Sequence, residues 1–355
     1  MIQSFWNLVS SVRFKTVVLC ITALACASFF IGALMLFRPA DNEPDVQLID
    51  MAMRKQISTF ASVVKTGLYI KNFELFNITE DHFIAGLVVW FEFLTDEVMP
   101  ETIQNFSFVN GKILEKSNGD VRINGPLMQV TFDVRVEFKS QLNYYRYPFD
   151  DHRISLLLTN NSVTPSELYF TVDNNTFSIA PDLYTNNWKV LELDTAWGYN
   201  SLSLDSTNTE KKMLRPVVAY SLNFEKSSMR HVLIIFVPLF IALLFGFLTF
   251  VMSLSNAFER MRMSVSALTA LLSYRFILDR MMPAVGYLTT TDLIYILYLL
   301  VLVIIFILQT LLSLYTSSEK KIALQDSLWL QKIHDVTYLF CTIACVGYSA
   351  FVLLW

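Results

Sequence analysis

A segment of membrane-spanning length in the C-terminal half of the chain carries a regular polar face. The residues on this face are separated by alternating steps of three and four positions: Glu259, Arg262, Ser266, Thr269, Ser273, Phe276 and Arg280. Such spacing keeps them on one side of an α-helix. The positions between them are mostly Met, Val, Ala, Leu and Ile, which suit lipid or other helices. We call these seven residues the polar stripe.

The charges in the stripe limit where this helix can lie. An Arg near the centre of a bilayer costs about 2.5–3.5 kcal/mol on insertion scales unless it meets water or a partner. One helix cannot enclose water, whereas several copies around an axis can, so the pattern predicts a pore-lining helix. Ser and Thr also occur at packed interfaces between membrane helices. The charged residues at both ends of the stripe favour the pore interpretation over packing.

The composition is that of a membrane protein. Of the 355 residues, 54% are hydrophobic and only 16% are charged, against about 25% charged residues in a soluble domain. Five apolar segments approach the roughly 20 residues that cross a bilayer: Val17–Phe37, Val232–Met252, Met263–Met282, Leu293–Leu314 and Val336–Trp355. The net charge of −4 and the lack of a basic run argue against a nucleic-acid partner.

The first apolar segment fits two interpretations. Arg13 and Lys15 precede it, and Ala25-Cys26-Ala27 could be a signal-peptide cleavage site. The apolar run nevertheless continues to Phe37, which suits an uncleaved signal anchor. Both interpretations send the polar middle of the chain out of the cytoplasm. With the middle of the chain outside, the C-terminus also lies outside. The later basic residues then fall on the cytoplasmic side: Arg260, Arg262, Lys320, Lys321 and Lys332.

The middle of the chain predicts β-structure. Residues 83–93 are rich in β-branched and aromatic side chains, and residues 127–138 alternate apolar and polar side chains. Asn-Gly pairs at Asn110, Asn118 and Asn124 mark turns between such runs. Many short strands over this length predict a β-sandwich. All four cysteines lie in apolar segments, so this sandwich is expected to fold without disulfides.

Three regions follow from these patterns. Residues 1–38 form the N-terminal signal anchor or signal peptide, residues 39–229 form an extracytoplasmic β-sandwich, and residues 230–355 form a four-helix transmembrane domain. The predicted fold class is therefore a membrane protein with a β-sandwich followed by four membrane helices and preceded by an extra apolar helix. Arg275 and Asp279 are four positions apart and are expected to pair within one helix.

Several local motifs, in this order, resemble the pentameric ligand-gated ion channels, and in particular their prokaryotic branch, which lacks the family's cysteine pair. Tyr147-Pro148-Phe149-Asp150 looks like the signature loop of that family, and Pro238 follows Arg230 inside the first channel helix. Phe258-Glu259-Arg260-Met261 opens the stripe helix, Pro283 ends it, and residues 287–292 resemble the next link. The resemblance covers about residues 55–355.

The resemblance implies a homopentameric channel subunit in which a ligand signal at the outer domain opens a pore lined by the polar stripe. It implies that coupling to the pore involves Glu80, Pro148, Phe149, Asp150, Arg230, Pro283 and Tyr287. It places the ligand, a small molecule or an ion, near Thr159, Asn160, Asn161, Trp197 and Tyr199. These binding loops are poor in the aromatic side chains that hold ammonium ligands, so an amine of the usual kind is not expected.

The sequence leaves ion selectivity open. A ring of Glu259 favours cations, whereas a ring of Arg262 one turn further in favours anions. The alternative function is a non-conducting, membrane-anchored extracytoplasmic sensor or binding protein on the same fold. The scattered histidines show no metal-ligand spacing, and no nucleophile or phosphate-binding motif occurs; neither an enzyme nor a cofactor is expected. The expected location is the inner membrane of a bacterium.

Overall fold

The computed structural model describes residues 9–35, 47–48, 61–78, 80–140, 142–173, 175–185, 188–203, 212–226, 229–253, 255–318 and 324–354. The chain divides into two compact units. The helical unit takes the described residues of Met1–Phe37, Tyr144–Phe149 and Ser228–Trp355, and the sheet unit takes those of Arg38–Asn143 and Asp150–Ser227.

The described elements alternate little between helix and strand. In chain order they are α1 (Val12–Met35), β1 (Gln47–Leu48), β2 (Ser62–Asn77), β3 (His82–Leu94), α2 (Pro100–Gln104), β4 (Phe106–Phe108), β5 (Gly111–Lys116), β6 (Asp120–Asn124), β7 (Leu127–Lys139), β8 (His152–Asn160), β9 (Leu168–Thr171), β10 (Phe177–Ile179), β11 (Trp188–Ser203), β12 (Lys212–Lys226), α3 (Met229–Val251), α4 (Ala257–Met281), α5 (Thr290–Ser318) and α6 (Leu324–Leu354).

The strands join into one large sheet. Its order is β1-β11-β12-β8-β4-β5-β7-β3-β2-β10, with β6 paired to β7 and β9 paired to β2 beside this path. The pairing is antiparallel except where β9 and β10 join β2. Alternation fixes which face is buried: in β3 every second residue from Phe83 to Phe93 is buried, because successive side chains of a strand point to opposite faces.

The core of the sheet unit is built from aromatic rings of strands that are not neighbours in the sheet. Phe76 of β2 lies 5.2 Å from Phe224 of β12, and Phe91 of β3 lies 5.9 Å from Phe170 of β9. The hydroxyl of Tyr220 in β12 donates to Thr66 of β2 at 3.3 Å, and its full burial raises the pKa of that phenol. The β2 end of the sheet therefore packs on the β12 part across a shared apolar core.

One glycine is required by this packing. A Cβ on Gly67 of β2 would lie 2.2 Å from the indole ring of Trp90, its partner on β3. Only a residue without a side chain lets the indole lie across the strand at this point.

The helical unit contains two helices that are long and apolar enough to cross a membrane. Within the described residues these are Arg230–Val251 in α3 and Thr290–Tyr315 in α5. Helix α4 contacts both α3 and α5. Helix α6 contacts α5, and α1 contacts α6. Gly246 lies where α3 and α5 meet, and a Cβ there would contact the end of the Leu302 side chain. A sheet domain accompanied by membrane-length helices is thus the observed fold.

Candidate functional site

Helix α4 carries the polar stripe from its first turn to its last. Glu259 lies in the first turn and Arg280 in the last turn. These positions place a negative charge at the helix N-terminus and a positive charge at the C-terminus, as the helix dipole favours. The helix ends at Met281; the C-cap residue Met282 has an extended backbone, and Pro283 follows. Extended geometry before a proline is the expected restriction on that residue.

All seven stripe residues are exposed on the single chain, and Phe276 is 75% exposed. The opposite face of α4 is buried against the rest of the helical unit: Arg260, Ser264, Ala267, Leu271 and Leu278. The stripe is therefore not used for packing within one chain. It forms a continuous face that is open to water or to other molecules along the whole helix.

The charges at the start of the stripe remain available. The Arg262 guanidinium lies 3.8 Å from the Glu259 carboxylate, and their side chains are 70% and 52% exposed. An exposed pair at this distance contributes little to stability, about 0–1 kcal/mol. The Ser266 hydroxyl donates to the carbonyl of Arg262 at 3.0 Å, which leaves its oxygen able to accept from water. The stripe can therefore present both signs of charge and hydroxyl oxygens.

A fully buried arginine lies directly beside the stripe. Arg260 is 0% exposed, and its guanidinium donates to the side-chain oxygen of Gln309 on α5 at 2.7 Å. The Gln309 amide nitrogen in turn donates to the hydroxyl of Thr249 on α3 at 3.2 Å. This relay ties the first turn of α4 to both neighbouring helices. Arg260 therefore packs inside the helical unit, whereas its sequence pattern indicates only a basic residue that sets orientation and a part of the motif that opens the stripe helix.

The second half of α4 is tied to the start of α5 by a charge network. Arg275 contacts the carboxylate of Asp279 at 2.9 Å, which confirms the pair expected from the spacing, and that of Asp292 at 2.7 Å. Asp292 also accepts from the amide and the hydroxyl of Thr289, at 3.0 and 2.9 Å. The shared carboxylate fixes the link between α4 and α5 where Pro283 and Tyr287 lie.

The Tyr144–Phe149 segment, which we call the docking loop, belongs to the helical unit. The hydroxyl of the buried Tyr147 donates to the carbonyl of Met281 at 2.6 Å and lies 2.5 Å from a ring nitrogen of His231. This one side chain therefore joins the end of α4 to the start of α3. Neither Tyr147 nor His231 had been assigned a role in coupling from the sequence.

Main-chain hydrogen bonds hold the docking loop as well. The carbonyl of Tyr145 accepts from the amide and hydroxyl of Thr290, and that of Tyr147 accepts from the amide and hydroxyl of Thr291. Tyr145 stacks on Tyr287 with ring centres 4.1 Å apart. Two threonines at the first turn of α5 thus bind the docking loop. Their role cannot be predicted from the sequence, because it depends on where the loop lies.

The other residues expected to couple the domain to the pore divide between the units. Phe149 stacks on Phe236 of α3 at 5.4 Å, Pro148 and Pro283 are buried, and Arg230 is exposed at the start of α3. All four belong to the helical unit, as does Tyr287.

Glu80 and Asp150 belong to the sheet unit. Glu80 is exposed at the turn between β2 and β3. Asp150 is buried, and its carboxylate lies 3.2 Å from the ring of the buried His152. His152 in turn lies 5.1 Å from the indole of Trp188. The Asp150 carboxylate therefore contacts the His152 ring inside the sheet unit.

The candidate ligand residues lie at the end of β8 and on β11, two strands that both pair with β12, but their roles differ. Asn160 is 0% exposed; its amide donates to the carbonyl of Thr102 at 2.7 Å, and its oxygen accepts from the Ser162 amide at 2.9 Å. The buried Thr159 hydroxyl donates to the carbonyl of Pro216 at 2.9 Å. Both side chains use their polar atoms to hold loops in place.

The remaining three candidates have partly or fully exposed side chains. Asn161 is exposed, donates to the Ser107 hydroxyl at 2.8 Å and accepts from Arg215. Trp197 and Tyr199 point to one face of β11 and are half-buried, and Trp197 stacks on Tyr169 at 6.0 Å. Any ligand contact at these strands would therefore be made by Asn161 and the two aromatic rings rather than by Thr159 and Asn160.

In the described ranges, no three His, Cys, Asp or Glu side chains come together as a metal site. No protein-family model matches this chain, and no curated protein matches it with significance.

Proposed function

We propose that this chain is a subunit of a pentameric ligand-gated ion channel. In this proposal the sheet unit is an extracytoplasmic β-sandwich that receives the signal, and the helical unit contributes four membrane helices to a homopentamer. The polar stripe lines the pore, and the subunits lie in the inner membrane of a bacterium with the sheet unit outside the cytoplasm.

The observation that carries the proposal is the exposure of the whole stripe on the single chain. A helix flanked by two membrane-length helices cannot leave Glu259, Arg262 and Arg280 facing lipid without a large free-energy cost. Cyclic association places the same face of every copy toward one axis, where it encloses water. The buried opposite face, which ends at Leu278, already holds α4 against its own subunit.

The docking loop supports a route by which the outer domain acts on the pore. Its residues Tyr145 and Tyr147 bond to the first turn of α5 and to the end of α4. The loop is joined by a peptide bond to Asp150 and runs directly into β8 of the sheet unit. A displacement of β8 that is transmitted along this covalent connection would therefore act on the end of the stripe helix through the Tyr147–Met281 hydrogen bond.

The alternative is a non-conducting sensor or binding protein on the same fold. That function requires no water-facing stripe, and charges on a lipid-facing or packed surface would destabilise it. A sensor could nevertheless keep the docking loop for signalling without ion flow. The two functions differ in a single measurable property, which is conduction.

The test is reconstitution of the purified full chain in planar bilayers, with a screen of small-molecule ligands, ions and pH. Native mass spectrometry of the same preparation gives the number of copies. The proposal expects a pentamer and ligand- or pH-dependent currents that are absent from empty bilayers. A monomeric protein, or a pentamer that stays silent throughout the screen while binding a ligand, would favour the sensor.

A further inference from the structure

A buried ion pair connects the N-terminal helix to the last helix of the chain. The ammonium of Lys15 on α1 lies 2.5 Å from the carboxylate of Asp335 on α6, and their side chains are 6% and 1% exposed. The hydroxyl of Tyr338, one turn further along α6, donates to the main-chain carbonyl of Lys15 at 2.7 Å. Helix α1 is therefore held to α6 by both a charge and a main-chain contact.

Removing one member of such a pair is expected to be more harmful than removing both. A buried charge that loses its partner keeps its full desolvation cost, whereas an apolar pair of similar volume is often tolerated. Asp335 has this dependence on Lys15. Cleavage after Ala27 would remove Lys15 and would leave the Asp335 carboxylate inside the helical unit without its ammonium.

The contacts around Asp335 continue toward the stripe helix. Its neighbour His334 and the nearby Tyr338 both pack on Phe250 of α3, with ring centres 4.8 and 5.3 Å apart. Thr249, the residue before Phe250, accepts from Gln309, which accepts from Arg260 of α4. One buried layer, polar except at Phe250, thus runs from α1 through α6, α3 and α5 to α4.

This layer ends at the base of the polar stripe. Arg260 lies between Glu259 and Arg262 in the sequence, and it is buried while both of its stripe neighbours are exposed. Any shift of α3 that breaks the Gln309 contacts would therefore change how the first turn of α4 is held. The first turn carries the two opposite charges of the stripe's lower end.

We infer that α1 is a permanent fifth helix of the helical unit and that Lys15 is a positioning residue for the base of the stripe. Through Asp335 and its α6 neighbours His334 and Tyr338, which pack on Phe250, it holds α3 in the position that keeps the Thr249–Gln309–Arg260 hydrogen bonds closed. Only the consequence for ion flow rests on the proposed channel function. Retention of α1 and the coupling to α4 stand on contacts within the helical unit.

The test uses the full chain, purified from membranes, with Cys20 and Cys26 replaced by Ser and the buried Cys341 and Cys345 replaced by Ala. Its intact mass reports whether the N-terminal helix is retained. A Ser264→Cys substitution then places a reporter on the buried face of α4, one turn after Arg260. Its rate of reaction with a water-soluble thiol reagent rises when the contacts that hold the start of α4 open. This rate is compared among the background, Lys15→Met, Asp335→Leu and the double variant.

The matched control is Arg13→Met, which removes the same charge from an exposed position two residues earlier on α1. The measured intact mass should correspond to a chain that still contains Lys15. Each single variant should change the labelling rate by about tenfold, as local opening of a packed layer does. The double variant should restore the rate, and the control should not alter it.

Two results would overturn the inference. One is a mature chain that lacks Lys15. The other is a labelling rate that the single variants change no more than Arg13→Met does, or that the double variant fails to restore. If the single variants do not fold, recovery of folded protein in the double variant supports the inference, and its failure contradicts it. None of these readouts requires current, so a silent wild-type protein would count against the channel proposal alone.

Discussion

Loss of the Tyr147 hydroxyl should release the docking loop from the helical unit. Tyr147→Phe keeps the ring but removes two contacts, the hydrogen bond to the Met281 carbonyl at 2.6 Å and the 2.5 Å contact with His231. A net hydrogen bond contributes about 0.5–1.5 kcal/mol, so the loss is about 1–3 kcal/mol. This corresponds to an opening equilibrium raised by about 5–150-fold.

Hydrogen exchange measured by mass spectrometry provides the assay. The amides of Thr290 and Thr291 donate to carbonyls of the docking loop, so their exchange rates should rise with the opening equilibrium. Tyr145→Phe is the matched control, because the Tyr145 side chain is 57% exposed and its stacking on Tyr287 needs no hydroxyl. Unchanged exchange in Tyr147→Phe, or an equal rise in the control, would refute the reasoning.

Three further predictions follow from other parts of the molecule. In asymmetric salt, Arg262→Ser should shift the reversal potential toward greater cation permeability and Glu259→Gln toward greater anion permeability, because charge acts strongly in a narrow pore. Asn160→Ala should lower the free energy of unfolding by about 1–3 kcal/mol, since it removes both hydrogen bonds of the buried Asn160 side chain, to the Thr102 carbonyl and from the Ser162 amide, and thermal unfolding measures this. Desolvation beside the Phe106 ring, 3.9 Å away, lowers the pKa of Lys116 below its ordinary 10.5, so its contribution to the free energy of unfolding should rise with pH just below that value.

Each of these predictions has a defined contrary result. Identical reversal potentials in both pore variants would remove their residues from the narrow part of a conduction path. For Asn160, the exposed Asn161→Ala is the comparison, and equal stability of the two variants would mean that the buried amide is not needed. For Lys116, the unfolding free energy of the wild type minus that of Lys116→Met should increase as the pH rises toward 10.5. A difference independent of pH would contradict the sign.

The parts of the fold that depend on the periodicity of side chains within one helix or strand could be predicted from the sequence. Alternation in residues 127–138 predicted a strand, and β7 buries every second residue from Val130 to Phe138. The three-and-four spacing predicted one helical face, and all seven stripe residues share an exposed face of α4. The Arg275–Asp279 pair followed from spacing alone. In each case the deciding contacts lie within one element, so periodicity is sufficient.

Contacts between residues far apart in the chain could not be predicted from the sequence. Tyr147 meets Met281 across 134 positions, and Arg260 meets Gln309 across 49; neither separation leaves a periodic trace. Asn160 has a polar side chain of the kind that binds ligands, yet its hydrogen-bond partners are main-chain atoms. A polar side chain that satisfies buried backbone and one that awaits a ligand look alike until burial is known.

Accessibility along α4 during current flow tests the central claim most directly. Ser266 and Ser264 lie two positions apart on the same helix, but the first is exposed in the stripe while the second is buried and its hydroxyl donates to the Met261 carbonyl at 2.8 Å. Ser266→Cys and Ser264→Cys are reconstituted in bilayers and treated with a charged thiol reagent. The account predicts that modification of Ser266→Cys reduces the current and that Ser264→Cys is unaffected. A modified Ser266→Cys protein that conducts normally, or equal inhibition of both variants, would contradict a pore lined by the stripe.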